Sequence, residues 1–397
     1  KHGKIFKTKS DTEVILKLYE VFGIKAFKML DGMFAFAILD KNLNKVFIAR
    51  DFFGEKPLYY TKNEDGILWS SELKSIVSVL NKKPLISKNS ISIYFQLTYI
   101  PAPYSIYENI FKLLPNHYLE IDISSSTFEE NIISSESINN ISSSISFDKA
   151  KEITHELVTK SVISRSIADV PISTFLSGGV DSSIVSLCLS NNLNSKIDTF
   201  SLGFDKRSFD ETDKSDIVAK LIGSNHHKFI VSTNAIEEEI DKVLLNFDEP
   251  FADSSALPTY LVSKYSGQKF KVALTGDGGD EIFGGYNKYY MQRINRNYTK
   301  IIPEFLHQKI LKASSLIRSR TDKRGFKFKL RRLIESIDYN NRFYLNIISL
   351  GFMKNELNFL LLDTNNLFDL KDTVNNDLKS IRDFRNYDKN ISLEGDM

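Results

Sequence analysis

The chain has 397 residues, too many for one ordinary hydrophobic core, so two domains are expected. Its 52 Lys and Arg residues nearly balance its 50 Asp and Glu residues, and this balance argues against binding to nucleic acid or to an anionic membrane surface. No apolar run is long enough to span a bilayer, and we expect a cytoplasmic protein. The single cysteine excludes an internal disulfide framework and a cysteine-based zinc site.

Residues 1–122 combine one helical pattern with several short strand patterns. The segment SDTEVILKLYEVFG predicts a helix that begins with a capping box of Ser10 and Glu13 and ends at Gly23. The segments GMFAFAILD, KVFIARD, PLYYTK and GILWSS are rich in strand-forming residues and are separated by turn residues. Such short turns leave no room for crossover helices, so we expect these strands to pair antiparallel.

Residues 123–146 are rich in Ser, Asn and Ile and predict the connection between two domains, with room for one weak edge strand. From residue 147 onwards, helical and strand patterns alternate. This order is typical of a doubly wound, mainly parallel sheet. Helices are predicted at 147–167, 180–192, 211–222, 235–246 and 256–266, and strands at 170–176, 196–204, 226–232 and 271–276.

The first loop at the edge of this predicted sheet is LSGGVDSS, residues 176–183. Ligands of such sheets bind beyond the carboxyl ends of the strands. The unpaired amides that begin a helix attract anions, and Gly178 and Gly179 would let a phosphate approach the backbone. The Walker pattern does not fit, because its lysine is missing. The loop therefore predicts a different phosphate-binding site, against the alternative that Asp181 or Ser182 only caps a helix.

Asp181 places a negative charge inside this predicted phosphate site. A carboxylate repels phosphates unless a divalent cation lies between them. Mg²⁺ commonly binds one or two carboxylates together with phosphate oxygens. Asp181 therefore predicts that Mg²⁺ binds here.

A second glycine-rich loop, within VALTGDGGDEIFGGY at 272–286, follows another buried-looking strand. It contains Asp277, Asp280 and Glu281 and does not match the calcium-binding EF-hand pattern. A solvated acidic turn is the alternative interpretation. The position of the loop next to the first one favours a shared site, in which one acid binds metal and another handles the substrate.

Both loops resemble known enzymes. SGGVDSS resembles the PP-loop of the ATP pyrophosphatases, which split ATP between its α and β phosphates. ALTGDGGDEIFGGYNKY, FDEPFADSSALPTYLVS, TFSLGF, FDET and ADVPISTFLSGGVDSS are similar to the glutamine-hydrolysing asparagine synthetases. LDGMFAFAILD, RDFFGEKPLYY and SSELKSI resemble the later half of the glutaminase domain of that family. The resemblance extends over nearly the whole chain.

The resemblance implies an α/β fold with two parts. Residues 1–122 would be the C-terminal half of a class II glutamine amidotransferase domain, of the Ntn type with αββα layers. Residues 123–146 would be the linker. Residues 147–397 would be a doubly wound, HUP-like PP-loop synthetase domain that is incomplete at its C-terminus.

The resemblance also implies the synthesis of asparagine from aspartate, ATP and glutamine. ATP and the aspartate side chain would form β-aspartyl-AMP and pyrophosphate, and ammonia released from glutamine would then attack this intermediate. The implied cofactors are ATP and Mg²⁺. The implied partners are small-molecule substrates, and a homodimer is left open.

Individual residues take roles from the same resemblance. Those implied to hold pyrophosphate and Mg²⁺ are Ser177, Gly178, Gly179, Asp181, Ser182 and Ser183. Those implied to surround adenosine are Leu176, Leu202, Thr275 and Gly276. Asp277 stands where the family has an acid needed to form the adenylate, and Asp280 is implied as a second metal or substrate carboxylate. Asp11 stands where the family has an acid that pairs with the amino group of glutamine.

The chain departs from the family at both ends. The family's glutaminase nucleophile is an N-terminal cysteine, whereas this chain begins with Lys1 and has its one cysteine at Cys188. At the other end it stops within the segment YDKNISLEGDM. We therefore expect a fragment truncated at both ends that does not hydrolyse glutamine by itself.

Two alternative functions stay open. A related enzyme could amidate another carboxylate, such as a uronic acid of a surface polysaccharide, or close a β-lactam. A non-catalytic scaffold could keep a relic nucleotide pocket. The intact Asp181, Asp277 and Asp280 argue against the scaffold.

Overall fold

A computed structural model describes residue 3, residues 5–64, 66–134, 145–193, 195–205, 210–314 and 326–339, and a few positions between 351 and 367. These residues form two compact units. The first unit contains the described residues up to 134, the segment Asp248–Phe251 and the described positions beyond 350. The second unit contains the described residues of 145–247 and 252–339.

The first unit is built from short helices and two antiparallel sheets. Helix α1 spans Asp11–Phe22 and is followed by a 3₁₀ helix over Gly23–Met29, while α2 spans Leu73–Val79 and α3 spans Lys88–Leu97. The strands are β1 Ala35–Asp40, β2 Lys45–Arg50, β3 Tyr59–Asn63, β4 Gly66–Ser70, β5 Ile110–Lys112, β6 His117–Asp122 and β7 Thr127–Ile132. One sheet has the order β1-β2-β6-β7 and the other β4-β3-β5. The antiparallel pairing predicted for β1 to β4 is confirmed.

The two sheets of this unit pack face to face. Leu119 of the first sheet and Tyr60 of the second belong to one buried cluster between them. Leu18 of α1 packs with Phe47 on the outer face of the first sheet, and Leu73 of α2 packs on the outer face of the second. The resulting order of helix, sheet, sheet and helix is the αββα layering that the resemblance implied.

The start of α1 differs from the prediction. Ser10 is the N-cap, and its hydroxyl accepts a hydrogen bond from the Thr12 amide. The Glu13 carboxylate does not complete a capping box. It accepts hydrogen bonds from the amides of Lys7 and Thr8 at 2.7–3.1 Å, because the preceding chain folds back over the first turn of the helix. The expected end of the helix at Gly23 is confirmed.

The second unit alternates helices with parallel strands. Its helices are α4 Phe147–Arg165, α5 Val180–Asn192, α6 Thr212–Ile222, α7 Thr233–Asn246, α8 Ala256–Ser266, α9 Gly279–Phe283, α10 Asn287–Ile301, α11 Glu304–Ser314 and α12 Phe326–Ser336. Its strands are β8 Ile172–Phe175, β9 Asp198–Phe204, β10 Asn225–Val231 and β11 Val272–Leu274. The sheet has the order β10-β9-β8-β11, and every pairing in it is parallel.

This strand order brings the two glycine-rich loops together. Strands β8 and β11 are adjacent and parallel, so their carboxyl ends lie at the same edge of the sheet. The first loop leaves β8 and enters α5, and the second leaves β11 and enters α9. Behind the first loop, Cys188 and Leu189 of α5 pack in a buried cluster with Val162 of α4. The core anchors α5 and with it the loop that precedes the helix.

The region between residues 123 and 146 contains more structure than a plain linker. Thr127–Ile132 forms β7, an edge strand paired with β6, and residues 135–144 lie outside the described residues. The division into domains at 122 and 147 stays a prediction. The segment YDKNISLEGDM also lies outside the described residues.

Within the described part of the chain, no helix is both long and apolar enough to cross a membrane.

Candidate active site

A cavity of about 610 Å³ lies at the edge of the parallel sheet where the two glycine-rich loops meet. Its lining includes ten residues with a role expected from the resemblance: Leu176, Ser177, Gly179, Asp181, Ser182, Leu202, Thr275, Gly276, Asp277 and Asp280. The remaining wall comes from β8, β9, the segment that begins α6, α8, the second loop with α9, and the residue before α10. The structure therefore gathers most of the predicted nucleotide-site residues around one space.

The first loop is held in shape by its own hydroxyls. The Ser177 and Ser182 hydroxyls are hydrogen-bonded at 2.9 Å, and the Gly179 amide donates to the Ser177 hydroxyl at 3.2 Å. The Ser183 hydroxyl donates to the Gly179 carbonyl at 2.6 Å. Gly179 is the N-cap of α5 and has no side chain to cover the first amides of the helix. These amides form the positive end of the helix dipole beside the cavity, which is where a phosphate group binds well.

The second loop lies directly against the first turn of α5. A Cβ atom added to Gly276 would be 2.6 Å from the Ser182 amide nitrogen and 2.8 Å from the carbonyl carbon of Asp181. A Cβ atom added to Gly279 would be 2.7 Å from the carboxyl carbon of Asp181. At Gly276 two of these neighbours are backbone atoms of α5, so glycine there lets the two loops touch, while Gly279 lies against the Asp181 carboxylate. The contact brings the acids of both loops into one site.

The chemistry of the cavity wall is acidic. Its carboxylates are those of Asp181, Glu211, Asp277, Asp280 and Glu281, and none of the described residues that line it is Lys, Arg or His. Burial raises the pKa of the Asp181 carboxyl above its usual range, and the negative charges of Asp280 and Glu281 raise it further. The first loop attracts an anion, whereas these side chains repel one.

A divalent cation would allow an anion to bind at the first loop despite the repulsion from the acidic side chains. No group of three or more His, Cys, Asp or Glu side chains among the described residues is arranged to hold a metal by itself. Mg²⁺ does not need such a group, because it binds one or two carboxylates together with phosphate oxygens and water. The carboxylates of Asp181 and Asp280 fit a Mg²⁺ ion that binds together with a polyphosphate.

Three predicted residues lie outside the cavity lining. Gly178 has a left-handed φ of 81° and packs against the first turn of α6. Ser183 faces back to the Gly179 carbonyl. Asp11 is in the first unit, where its carboxylate accepts a hydrogen bond from the Thr12 amide at 2.7 Å. All the role assignments stay predictions, including those of the residues that line the cavity.

The structure adds wall residues to which the sequence analysis gave no role. Glu211, Thr212 and Ser215 come from the start of α6, and Pro258 and Thr259 come from α8. The segment FDET, residues 209–212, is one of those that carry the resemblance. Its pattern of an acid followed by Thr at a predicted helix start was a usable signal for Glu211 and Thr212, whereas Ser215 lies outside it. Pro258 and Thr259 lie within FDEPFADSSALPTYLVS, where only the resemblance marked them.

An ion-pair network connects α8, which lines the cavity, to α7. One oxygen of the Glu239 carboxylate accepts hydrogen bonds from Lys264 at 2.8 Å and Lys242 at 2.9 Å, and the other accepts one from the Tyr260 hydroxyl at 3.1 Å. Lys264 first and then Lys242 lower the pKa of Glu239 from 4.5 to about 2. The network should stabilise the fold while Glu239 is ionised.

The sign of this pKa shift gives a test. A carboxyl whose pKa is lowered by folding contributes stability above its unfolded pKa, and that contribution is lost as the pH falls from 4.5 towards about 2. We expect Glu239→Gln to make the urea unfolding midpoint less dependent on pH across this window. Glu237→Gln, an exposed position on the same helix, should keep the wild-type pH profile. If the urea unfolding midpoint depended on pH equally in wild type and Glu239→Gln, this result would contradict the stabilising role of the ion-pair network.

A parallel α/β sheet with two touching glycine-rich loops at its carboxyl edge defines a nucleotide-binding class of α/β protein. Comparison with protein families agrees with this class and identifies the family within it. The family described as Asparagine synthase matches residues 154–373, and the Glutamine amidotransferase domain matches residues 1–131. The chain belongs to the asparagine synthase family.

Two curated relatives illustrate this membership. The chain is 39% identical over 309 residues to putative asparagine synthetase (glutamine-hydrolyzing) 2 of Methanocaldococcus jannaschii, covering 76% of this chain and 58% of the relative. It is 33% identical over 322 residues to asparagine synthetase (glutamine-hydrolyzing) 1 of Bacillus subtilis, covering 79% of this chain and 49% of the relative. The chain thus spans about half the length of these relatives.

Among solved structures, the glutamine-dependent NAD⁺ synthetase of Acinetobacter baumannii in complex with ADP matches at 13% identity. The match covers 70% of this chain and 67% of that chain, with a TM-score of 0.28. A similarity this low supports no inference about function.

Proposed function

We propose that the protein containing this chain is a glutamine-dependent asparagine synthetase. In the proposed reaction, ATP, aspartate, glutamine and water give asparagine, glutamate, AMP and pyrophosphate through β-aspartyl-AMP. The observation that carries the proposal is the contact of Gly276 with the first turn of α5, because it joins an anion-binding loop and an acidic loop in one cavity. Family membership supports the same reaction.

The first loop is proposed to bind the pyrophosphate part of ATP. A carboxylate becomes a good electrophile once its oxygen is adenylated, and the pyrophosphate that leaves must be stabilised. The amides that begin α5 and the hydroxyls of Ser177, Ser182 and Ser183 are the groups proposed to receive its charge. Gly178 and Gly179 let the phosphates approach the backbone. No protein nucleophile is needed for this step, which agrees with the burial of the only cysteine.

The second loop is proposed to place adenosine and the reacting carboxylate. Leu176, Leu202, Thr275 and Gly276 line the part of the cavity near β8, β9 and β11, where adenosine would contact mainly backbone. The Thr275 hydroxyl donates a hydrogen bond to Asp277 at 2.9 Å, which fixes the acid that we propose supports formation of the adenylate.

Metal binding is part of the same proposal. Asp181 and Asp280 are proposed to hold Mg²⁺, which would supply charge neutralisation for the leaving pyrophosphate. Both carboxylates belong to the loops that line this side of the cavity and would be the protein ligands of the ion. Burial and the nearby charges of Asp280 and Glu281 raise the pKa of Asp181, and a bound cation would stabilise its ionised form, which supports this role.

The first unit is proposed to take part in glutamine use, with Asp11 pairing with the amino group of glutamine. The Glutamine amidotransferase domain match over residues 1–131 supports this part of the proposal. The partners that we propose are therefore small molecules, namely aspartate and glutamine or ammonia, in a cytoplasmic enzyme.

One experiment tests which carboxylate the protein adenylates and amidates. Pyrophosphate release by the full-length protein is measured with ATP, Mg²⁺ and either ammonia or glutamine, and L-aspartate is compared with L-glutamate and with uronic acids. We expect pyrophosphate only with aspartate, in amounts equal to the asparagine and AMP formed. Pyrophosphate release with a uronic acid and none with aspartate would overturn the assignment and favour the related carboxylate amidation.

A further inference from the structure

The phosphate-binding loop rests on a neighbouring helix through a contact between backbones. A Cβ atom added to Gly178 would be 2.5 Å from the Cβ of Lys214, 2.7 Å from the amide nitrogen of Ser215 and 2.9 Å from the carbonyl carbon of Lys214. Two of these three neighbours are backbone atoms, which cannot rotate away as the end of a side chain can. The position of the loop therefore depends on the position of the first turn of α6.

Two carboxylates lie at that first turn, and the Glu211 carboxylate accepts a hydrogen bond from the Lys214 ammonium group at 2.8 Å. Glu211 occupies the N-cap position of α6, but its side chain makes no capping hydrogen bond. Asp210, one residue earlier, takes over this role. Its Oδ1 atom accepts a hydrogen bond from the Thr212 amide at 3.2 Å, and its Oδ2 atom accepts one from the Thr212 hydroxyl at 3.2 Å.

The turn held by Asp210 is buried and connected onward to the contact with the loop. Thr212 is only 3% exposed, and Ser215 is fully buried. The Ser215 hydroxyl donates to the Thr212 carbonyl at 2.9 Å. The hydrogen bonds therefore run from Asp210 through Thr212 to Ser215, whose amide nitrogen lies against Gly178.

The central strand of the sheet leaves room for this arrangement. A Cβ atom added to Gly203 of β9 would be 2.6 Å from Oδ1 of Asp210 and 2.7 Å from Cγ2 of Thr212. Strand β9 pairs with β8, which leads into the phosphate-binding loop. Asp210 is therefore packed against β9, the strand that neighbours the one leading into the loop.

From these contacts we propose that Asp210 is a positioning residue for the phosphate-binding loop. Its carboxylate fixes the first turn of α6, and this turn supports Gly178 and so the amides that begin α5. Asp210 does not line the cavity and is not expected to touch a ligand. The importance of the loop for pyrophosphate rests on the proposed function, whereas the support of the loop by Asp210 can be tested without nucleotide.

Hydrogen–deuterium exchange on the full-length protein tests the proposal. In Asp210→Ala we expect the amides of residues 177–183 to exchange about five- to tenfold faster, the effect of losing a helix-capping interaction. Asp210→Asn keeps an oxygen that can accept from Thr212, and it should restore exchange to within about twofold of wild type. Asp213→Ala removes the same charge from an exposed position in the same turn and should exchange as wild type does.

Two results would overturn the positioning role. One is unchanged exchange of residues 177–183 in Asp210→Ala. The other is an equal acceleration in all peptides of the parallel sheet, which would show that Asp210 stabilises the whole unit and not this loop. Adding ATP and Mg²⁺ to the wild type tests the proposed function separately, because bound nucleotide should slow exchange in the same peptide. Absence of that protection counts against nucleotide binding and leaves the comparison of nucleotide-free variants valid.

Discussion

Asp181→Asn is expected to reduce pyrophosphate release by about 10²- to 10³-fold, the cost of losing a group that stabilises charge on the leaving pyrophosphate. The variant removes one of the two carboxylates proposed to hold Mg²⁺, from a cavity whose described wall has no basic side chain. The activity that remains should depend less steeply on Mg²⁺ concentration. The measurement is a Mg²⁺ titration of ATP-dependent pyrophosphate release by the full-length protein.

The same substitution should not destabilise the fold. Burial first, and then the negative charges of Asp280 and Glu281, raise the pKa of Asp181, so a neutral side chain at this position removes an unfavourable charge. We therefore expect a melting temperature equal to that of wild type or higher, together with the loss of activity. Asp241→Asn, an exposed acid on α7, is the matched control and should change neither quantity. Full activity of Asp181→Asn with a normal Mg²⁺ response would mean that Asp181 only begins the helix.

Much of this site follows from local sequence patterns. The expected helix over residues 180–192 has the observed bounds of α5, because a glycine turn precedes it and its apolar spacing is helical. Both glycine-rich loops could be placed at one edge of the sheet because parallel strands share their carboxyl ends. The acids at Asp181, Asp277 and Asp280 could therefore be assigned to one cavity before their distances were known.

Contacts with residues outside a recognised pattern could not be predicted in this way. The spacing of Ser10 and Glu13 matches a capping box, yet Glu13 bonds to the amides of Lys7 and Thr8. A spacing rule compares only two residues, whereas the structure lets a third segment compete for the carboxylate. The first unit gives a similar case. Its strands were predicted to pair antiparallel, but their division into two sheets depends on β5 and β6, which follow much later in the chain.

The glycines of the two loops show more clearly what a sequence pattern does not predict. Composition and spacing predict that Gly178 and Gly179 admit a phosphate. The structure shows that Gly178 also admits the backbone of α6 and that Gly276 admits the backbone of α5. A glycine that is required by packing and one that is required by a ligand look alike in a sequence, because both appear as a missing side chain in a loop.

Gly276→Ala is expected to reduce pyrophosphate release by about 10²-fold, the effect of moving reacting groups by roughly 1 Å. The added Cβ would be 2.6 Å from the Ser182 amide nitrogen, 2.8 Å from the carbonyl carbon of Asp181 and 2.9 Å from its Cβ. Since backbone atoms of α5 cannot rotate away, the second loop must move. Gly276 is not among the glycines with positive φ, so the expected effect is steric and not conformational.

Gly223→Ala is the matched control for this prediction. Gly223 ends α6 with a φ of 65°, and no atom lies within 4 Å of an added Cβ. Alanine there should lower the free energy of unfolding by about 1 kcal/mol through its left-handed conformation, while pyrophosphate release at saturating ATP stays near wild type. If Gly276→Ala lost no more activity than Gly223→Ala at equal stability, the two loops would not need to touch during the reaction. A selective loss in Gly276→Ala would instead identify their contact as the feature that joins the anion site to the acids.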